Sequence, residues 1–106
     1  MADDAAGLLK KASAARGDDP APLLTLAEMY QTAGKTADAE AAWKSAQQAA
    51  EKAIAKDPKS APAHYALGVS LQRQKKTDEA LASLGKAREL DPNLAAATYQ
   101  IGVTRV

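Results

Sequence analysis

Residues 56–69 read KDPKSAPAHYALGV, and residues 90–103 read LDPNLAAATYQIGV. With a shift of 34 residues the two stretches agree at 7 of 14 positions: Asp57, Pro58, Ala61, Ala63, Tyr65, Gly68 and Val69 recur as Asp91, Pro92, Ala95, Ala97, Tyr99, Gly102 and Val103. Self-similarity at a fixed period of this length marks a solenoid of helical hairpins. Such hairpins bury more together than any one of them alone, because each leaves an apolar face for its neighbour.

The composition fits the repeat. The chain has 106 residues, which is the size of one domain. Alanine supplies 27 of them and phenylalanine none, so the core is built of small side chains and needs closely approaching helices. β-Branched and aromatic residues, which strands prefer, are scarce, and an all-α chain follows. The net charge is +1 with acids and bases interspersed, which argues against a dedicated nucleic-acid binder. There is no cysteine to form a disulfide, and no apolar run reaches the roughly 18–20 residues of a membrane span, so membrane insertion is not expected. The start, Met1-Ala2-Asp3-Asp4, is acidic and unlike a signal peptide. The compartment is open: this start suits a cytoplasmic protein and equally a domain cut from a longer exported chain.

Helix punctuation is dense. Asp18-Asp19-Pro20, Asp57-Pro58 and Asp91-Pro92 are boundaries, since proline lacks an N–H and bars the preceding residue from α geometry. Gly17 and Gly34 suit helix C-caps, and Thr36, Ser60, Thr77 and Asn93 suit N-caps. The pattern predicts helices over 3–16, 21–33, 37–56, 61–75 and 78–90, with a sixth from 94 to the end.

In residues 61–92 the ordered set Leu67-Gly68, Leu71, Ala80, Leu84, Ala87 and Pro92 resembles the motif of the tetratricopeptide-repeat (TPR) family. Residues 20–46 carry the same skeleton as Leu26-Ala27, Tyr30, Gly34, Ala39, Trp43 and Ala46, and a third unit begins at Ala95 with Ile101-Gly102. The resemblance covers roughly residues 20–106. It implies an all-α solenoid of about six helices in a right-handed superhelical stack. Residues 20–58 would be a first TPR with an extended second helix. Residues 1–19 do not match the motif; Asp3–Arg16 reads as an amphipathic helix carrying Leu8 and Leu9, an N-terminal cap over the first hairpin or else a flexible arm or partner-binding helix. Residues 59–92 would be a second TPR, and 93–106 the first helix of a third, incomplete one. Leu26, Leu67 and Ile101 would pack inside the hairpins. Gly68, Gly102 and Ala27 would be small where two helices cross, with Ala39 and Ala80 on the other side of the crossing. Trp43 and Leu84 would plug the space between hairpins.

The sequence also departs from the family pattern. His64 stands where a Trp is frequent, and Lys75 where a turn Gly is usual. Leu26 and Leu67 are 41 residues apart, a heptad more than 34, with the surplus inside 47–53. Seven residues are about two helical turns, so helix 37–56 should lengthen by roughly 10 Å without turning its apolar face away.

Nothing points to catalysis. Gly34-Lys35-Thr36 looks like the end of a phosphate-binding loop, but Met29 holds the place of that motif's first Gly. One His and no Cys make no zinc site, and His64 has no positioned partner as a base. Asp78-Glu79 suits a helix start, where negative charge meets the helix dipole. No enzyme, metal or cofactor is expected.

The resemblance implies instead a scaffold whose first helices line a concave groove for a peptide or a partner helix. The matching positions are Leu24, Glu28, Gln31 and Thr32, then Tyr65, Val69, Gln72 and Arg73, then Tyr99 and Val103. The 34-residue shift should stack Tyr65 and Tyr99 on one wall, although both tyrosines also suit packing against their own hairpins. Relatives that grip acidic chaperone tails use charged clamps. The matching positions here are Leu24, Glu28, Ala66, Ala96 and Gln100, so no such grip is expected. The alternative is a structural spacer or self-association module, with a homodimer formed through residues 94–106. The last helix carries Ile101, Val103 and Val106 and should expose an apolar strip. Gly102 calls for a crossing helix, so a longer parent chain is expected.

Overall fold

The computed structural model of the chain describes Lys11 and residues 20–105. The expected helix 3–16, apart from Lys11, and the Gly17 cap therefore lie outside the described residues. Five helices follow in order: α1 (Pro20–Thr32), α2 (Thr36–Lys56), α3 (Ala61–Arg73), α4 (Thr77–Leu90) and α5 (Ala95–Arg105). No strand occurs among the described residues. Helices α1 and α2 form one hairpin, α3 and α4 a second, and α5 packs on α4. The chain is thus an all-α stack of helical hairpins, as the 34-residue period predicts. Helix α3 touches every other described helix.

The 34-residue repeat is visible in the corners. The Asp57 and Asp91 amides donate to the Ala53 and Ala87 carbonyls, each at 2.9 Å, and end α2 and α4 alike. The Asp57 carboxylate accepts from the Lys59 N–H at 3.1 Å, and Asp91 accepts from Asn93 at the same distance. An aspartate that holds the backbone two residues on makes a tight turn, and the following proline cannot continue the helix. Ser60 then caps α3 by accepting from the Ala63 N–H at 3.3 Å.

The other expected N-caps are corrected. Thr36 and Thr77 are already the first helical residues, and Lys35 and Lys76 precede them with no side-chain cap bond. The reason lies in the turn before each helix. The Lys35 amide donates to the Tyr30 carbonyl and the Lys76 amide to Leu71, each at 2.9 Å, which closes the preceding helix at that residue. The residue before each lysine must then be left-handed: Gly34 has φ +79° and Lys75 has φ +65°. Asn93 is corrected too, since α5 starts two residues later, at Ala95.

The core runs through both hairpins as Leu26, Ala27, Ala39, Ala42, Trp43, Val69, Leu84 and Ile101. Trp43 is 3% exposed, in keeping with its expected place as a plug. The close crossing is sharper than the sequence implies. A Cβ built on Gly68 would lie 2.5 Å from the Leu84 Cγ and 2.7 Å from its Cδ2, so the partner of Gly68 is Leu84 rather than Ala80. Leu67, expected inside, is only half-buried; the inward positions beside it are Ala66, Gly68, Ser70 and Leu71. The Ser70 hydroxyl is fully buried and donates to the Ala66 carbonyl at 2.8 Å, which satisfies it inside its own helix. The expected apolar strip on the last helix is narrower than foreseen, because Ile101 is only 5% exposed. It belongs to the core cluster, reached because α5 lies on both α3 and α4.

Helix α2 has 21 residues against 13 in α1 and 14 in α4. At 1.5 Å per residue it outruns α1 by about 12 Å. The added turns carry buried Ala49 and Ala50, so the heptad keeps the apolar face inward. Gln74, just past α3, donates its amide to the Gln47 carbonyl oxygen at 2.8 Å and ties the extension to the second hairpin.

Two predictions follow from these contacts. Gly68→Ala should destabilise the fold by about 1–3 kcal/mol through overpacking. Gly85→Ala, where an added Cβ meets nothing within 4 Å, should raise stability by up to about 1 kcal/mol. Urea unfolding of both variants checks this, and equal effects at the two sites would refute the crossing. Lys75→Gly relieves a left-handed lysine and should stabilise by about 1 kcal/mol, read as a higher melting temperature.

Candidate functional site

The helices divide the charge unevenly. Helices α2 and α4 carry Asp38, Glu40, Lys44, Glu51, Lys52, Lys56, Asp78, Glu79, Lys86, Arg88 and Glu89, all exposed. The first helices α1, α3 and α5 carry only Glu28, Arg73 and Arg105, apart from His64. One set of helices is therefore solvated by charge and the other is not. A surface depleted of charge is what interface centres have in common.

Four of the eight expected groove residues on α1 and α3 come together. Glu28, Gln31 and Thr32 of α1 and Arg73 of α3 line one cleft of about 510 Å³. A second hollow of about 400 Å³, along the flank of α1, shares Glu28 and Thr32. These two side chains thus stand on a ridge between two hollows. Leu24 and Tyr65 are half-buried and lean on the core, and Gln72 is half-buried as well.

Val69 is a correction. It is 3% exposed and belongs to the core cluster with Ile101, so it underlies the wall rather than forming its surface. Its helix is covered on several sides at once, and no open flank remains for it. The two repeat-related tyrosines also differ. Tyr65 is half-buried, whereas Tyr99 is 68% exposed and Val103 48%. Tyr65 sits on the central helix with α1 and α5 both in contact with that helix; α5 has described neighbours only in α3 and α4.

Electrostatics connects the same residues. Burial, and then the nearby Glu28 carboxylate, push the Tyr65 phenol above its ordinary pKa, while a hydrogen bond with the Gln100 side chain and the charge of Arg73 oppose the rise. Tyr65 is neutral at physiological pH and joins all three repeats, through Glu28, Arg73 and Gln100. The Arg73 guanidinium lies 5.8 Å from the centroid of the Trp43 ring, within cation–π range. Neither the Gln100 bond nor the Trp43 contact was legible in the sequence, since each joins positions that no fixed spacing relates.

The other sequence candidates find ordinary places. The His64 Nε2 is 2.9 Å from the Pro58 carbonyl, to which its N–H donates, and so it closes the Asp-Pro corner. Gly34-Lys35-Thr36 is the turn between α1 and α2, with Lys35 6.0 Å from the Tyr30 ring centroid. Among the described residues no three His, Cys, Asp or Glu side chains gather as a metal site would require. No described helix is long and apolar enough to cross a membrane. Of the clamp positions, Ala66 is buried and Gln100 is engaged with Tyr65.

Residues 18–102 fit the family model described as Tetratricopeptide repeat, which spans both hairpins and most of α5. No curated protein matches the chain. With helical hairpins stacked in order, a 34-residue shift relating α3 to α5, the glycine crossing in place and most of its length matched, the chain belongs to the tetratricopeptide-repeat family.

Proposed function

We propose that the chain is a scaffold that holds a peptide or a partner helix of another protein against the wall formed by α1, α3 and α5. The family is typically a non-enzymatic module for protein–protein interaction. The observation that carries the reading here is the partition of charge: the second helices are charged and solvated, while the first helices share a cleft and present Leu24, Gln31, Thr32, Tyr99 and Val103. Aromatic residues with a polar tip favour such a wall, since they offer apolar area and a hydrogen bond together.

The test uses a peptide selected on the whole chain from a random display library. Tyr99→Ala should weaken binding of that peptide by about 1–2 kcal/mol or more in calorimetry, as at an interface hot spot. It should leave the melting temperature unchanged, because Tyr99 is largely exposed. Lys44→Ala on α2 should leave affinity unchanged. Binding lost only with α2 or α4 variants would place the ligand on the other face.

A second reading rests on α5. Tyr99 and Val103 are exposed, and a Cβ on Gly102 meets nothing within 4 Å, unlike its counterpart Gly68. This open apolar face favours self-association through residues 94–106. Sedimentation equilibrium should then show the mass rising with concentration for the parent chain and not for Val103→Glu. A parent chain that stays a monomer at every concentration would end this reading.

A further inference from the structure

We propose that the ligand in the α1–α3 cleft is an extended peptide bearing one basic and one acidic side chain, the basic one at Glu28 and the acidic one at Arg73, and that this pair fixes the direction in which the peptide lies. The inference rests on the groove reading above and names what that groove selects.

Two charges of opposite sign stand in one cleft of about 510 Å³, and they are the only carboxylate and the only Lys or Arg on α1 and α3. Their surroundings are uncharged: Gln31 and Thr32 complete the described lining, and Tyr65, which both charges influence, is neutral. Charges flanked by neutral, partly enclosing walls act more strongly than charges scattered over an open surface. Arg73 also lies over the Trp43 ring, 5.8 Å from its centroid, a contact that favours this placement of the guanidinium in the free protein. Pre-set groups lose less freedom on binding.

Other occupants fit less well. Nucleic acid needs several cations to meet its phosphates, and the described lining of this cleft has one, with a carboxylate beside it. Small-molecule sites are mostly apolar, whereas all four described lining residues are polar or charged. A peptide backbone suits them. The Gln31 amide and the Thr32 hydroxyl each donate and accept, which matches an N–H and a C=O in the same strand. One acid and one base at opposite places make the cleft directional: a peptide with its charges in the wrong order meets like charge at both ends.

The experiment compares two selections from one random peptide display library, on the whole chain and on its Glu28→Lys/Arg73→Glu double variant. Both positions are exposed, and circular dichroism melting verifies that the variant is folded. The parent pool should carry a Lys or Arg and an Asp or Glu at a fixed spacing and in one order. The variant pool should carry the same spacing with the order reversed. A single peptide from the parent pool should lose about tenfold or more in affinity against the double variant. It should recover when its own two charges are exchanged. Pools that depend on Tyr99 but carry no charge pair, or keep the same order on both proteins, would overturn this inference and leave the groove standing. Pools that ignore Tyr99 as well would overturn the groove and the inference together.

Discussion

The stack depends on one steric constraint, the approach of α3 to α4 at Gly68. The Leu84 side chain occupies the space that any β-carbon at position 68 would need. A glycine inside a helix costs about 1 kcal/mol relative to alanine, and here the cost is offset by letting a fully buried leucine reach the backbone of its partner. Because α3 also touches α1, α2 and α5, the position it takes against α4 sets the place of every other described helix. The core on either side is then filled mainly by alanines, which only closely spaced helices can use.

Helix α2 adapts this plan to a heptad insertion. Its first half partners α1, and its added turns run on beside α3, where Gln47 and Gln74 meet. A heptad is the insertion that fits, because seven residues are close to two full turns and the buried alanines stay on one side. Helices α1 and α3, which touch each other, flank the cleft lined by Glu28, Gln31, Thr32 and Arg73.

Charge follows the same division of labour. Eleven exposed charges keep α2 and α4 in water. The first helices are left with so few that a partner can cover them without stripping many ions of solvent, which is the costly step in forming an interface. Tyr65 links the three repeats at the middle of this wall. Its phenol is neutral, as any tyrosine is at physiological pH, and burial raises its pKa further, so Glu28 and Arg73 are the charges a ligand meets.

The sequence by itself determined the architecture. The 34-residue shift, the Asp-Pro corners and the Gly68 position are all local signals, and hairpins repeat because neighbouring residues in the chain become neighbouring helices. Tertiary structure decided which residues face out. Val69 and Tyr99 share an apolar character and lie on equivalent helices, yet one is core and the other exposed, because α3 packs against all four other described helices and α5 against only two of them. The caps shifted by a residue or two for a similar reason: Thr36 and Thr77 are good cap residues, but the hydrogen bonds closing the preceding helices claim Lys35 and Lys76 for that position. The pairing of Gln100 with Tyr65 and of Arg73 with Trp43 lies further still from what spacing encodes. Those contacts join separate repeats, and only the packing angle between hairpins brings them within reach.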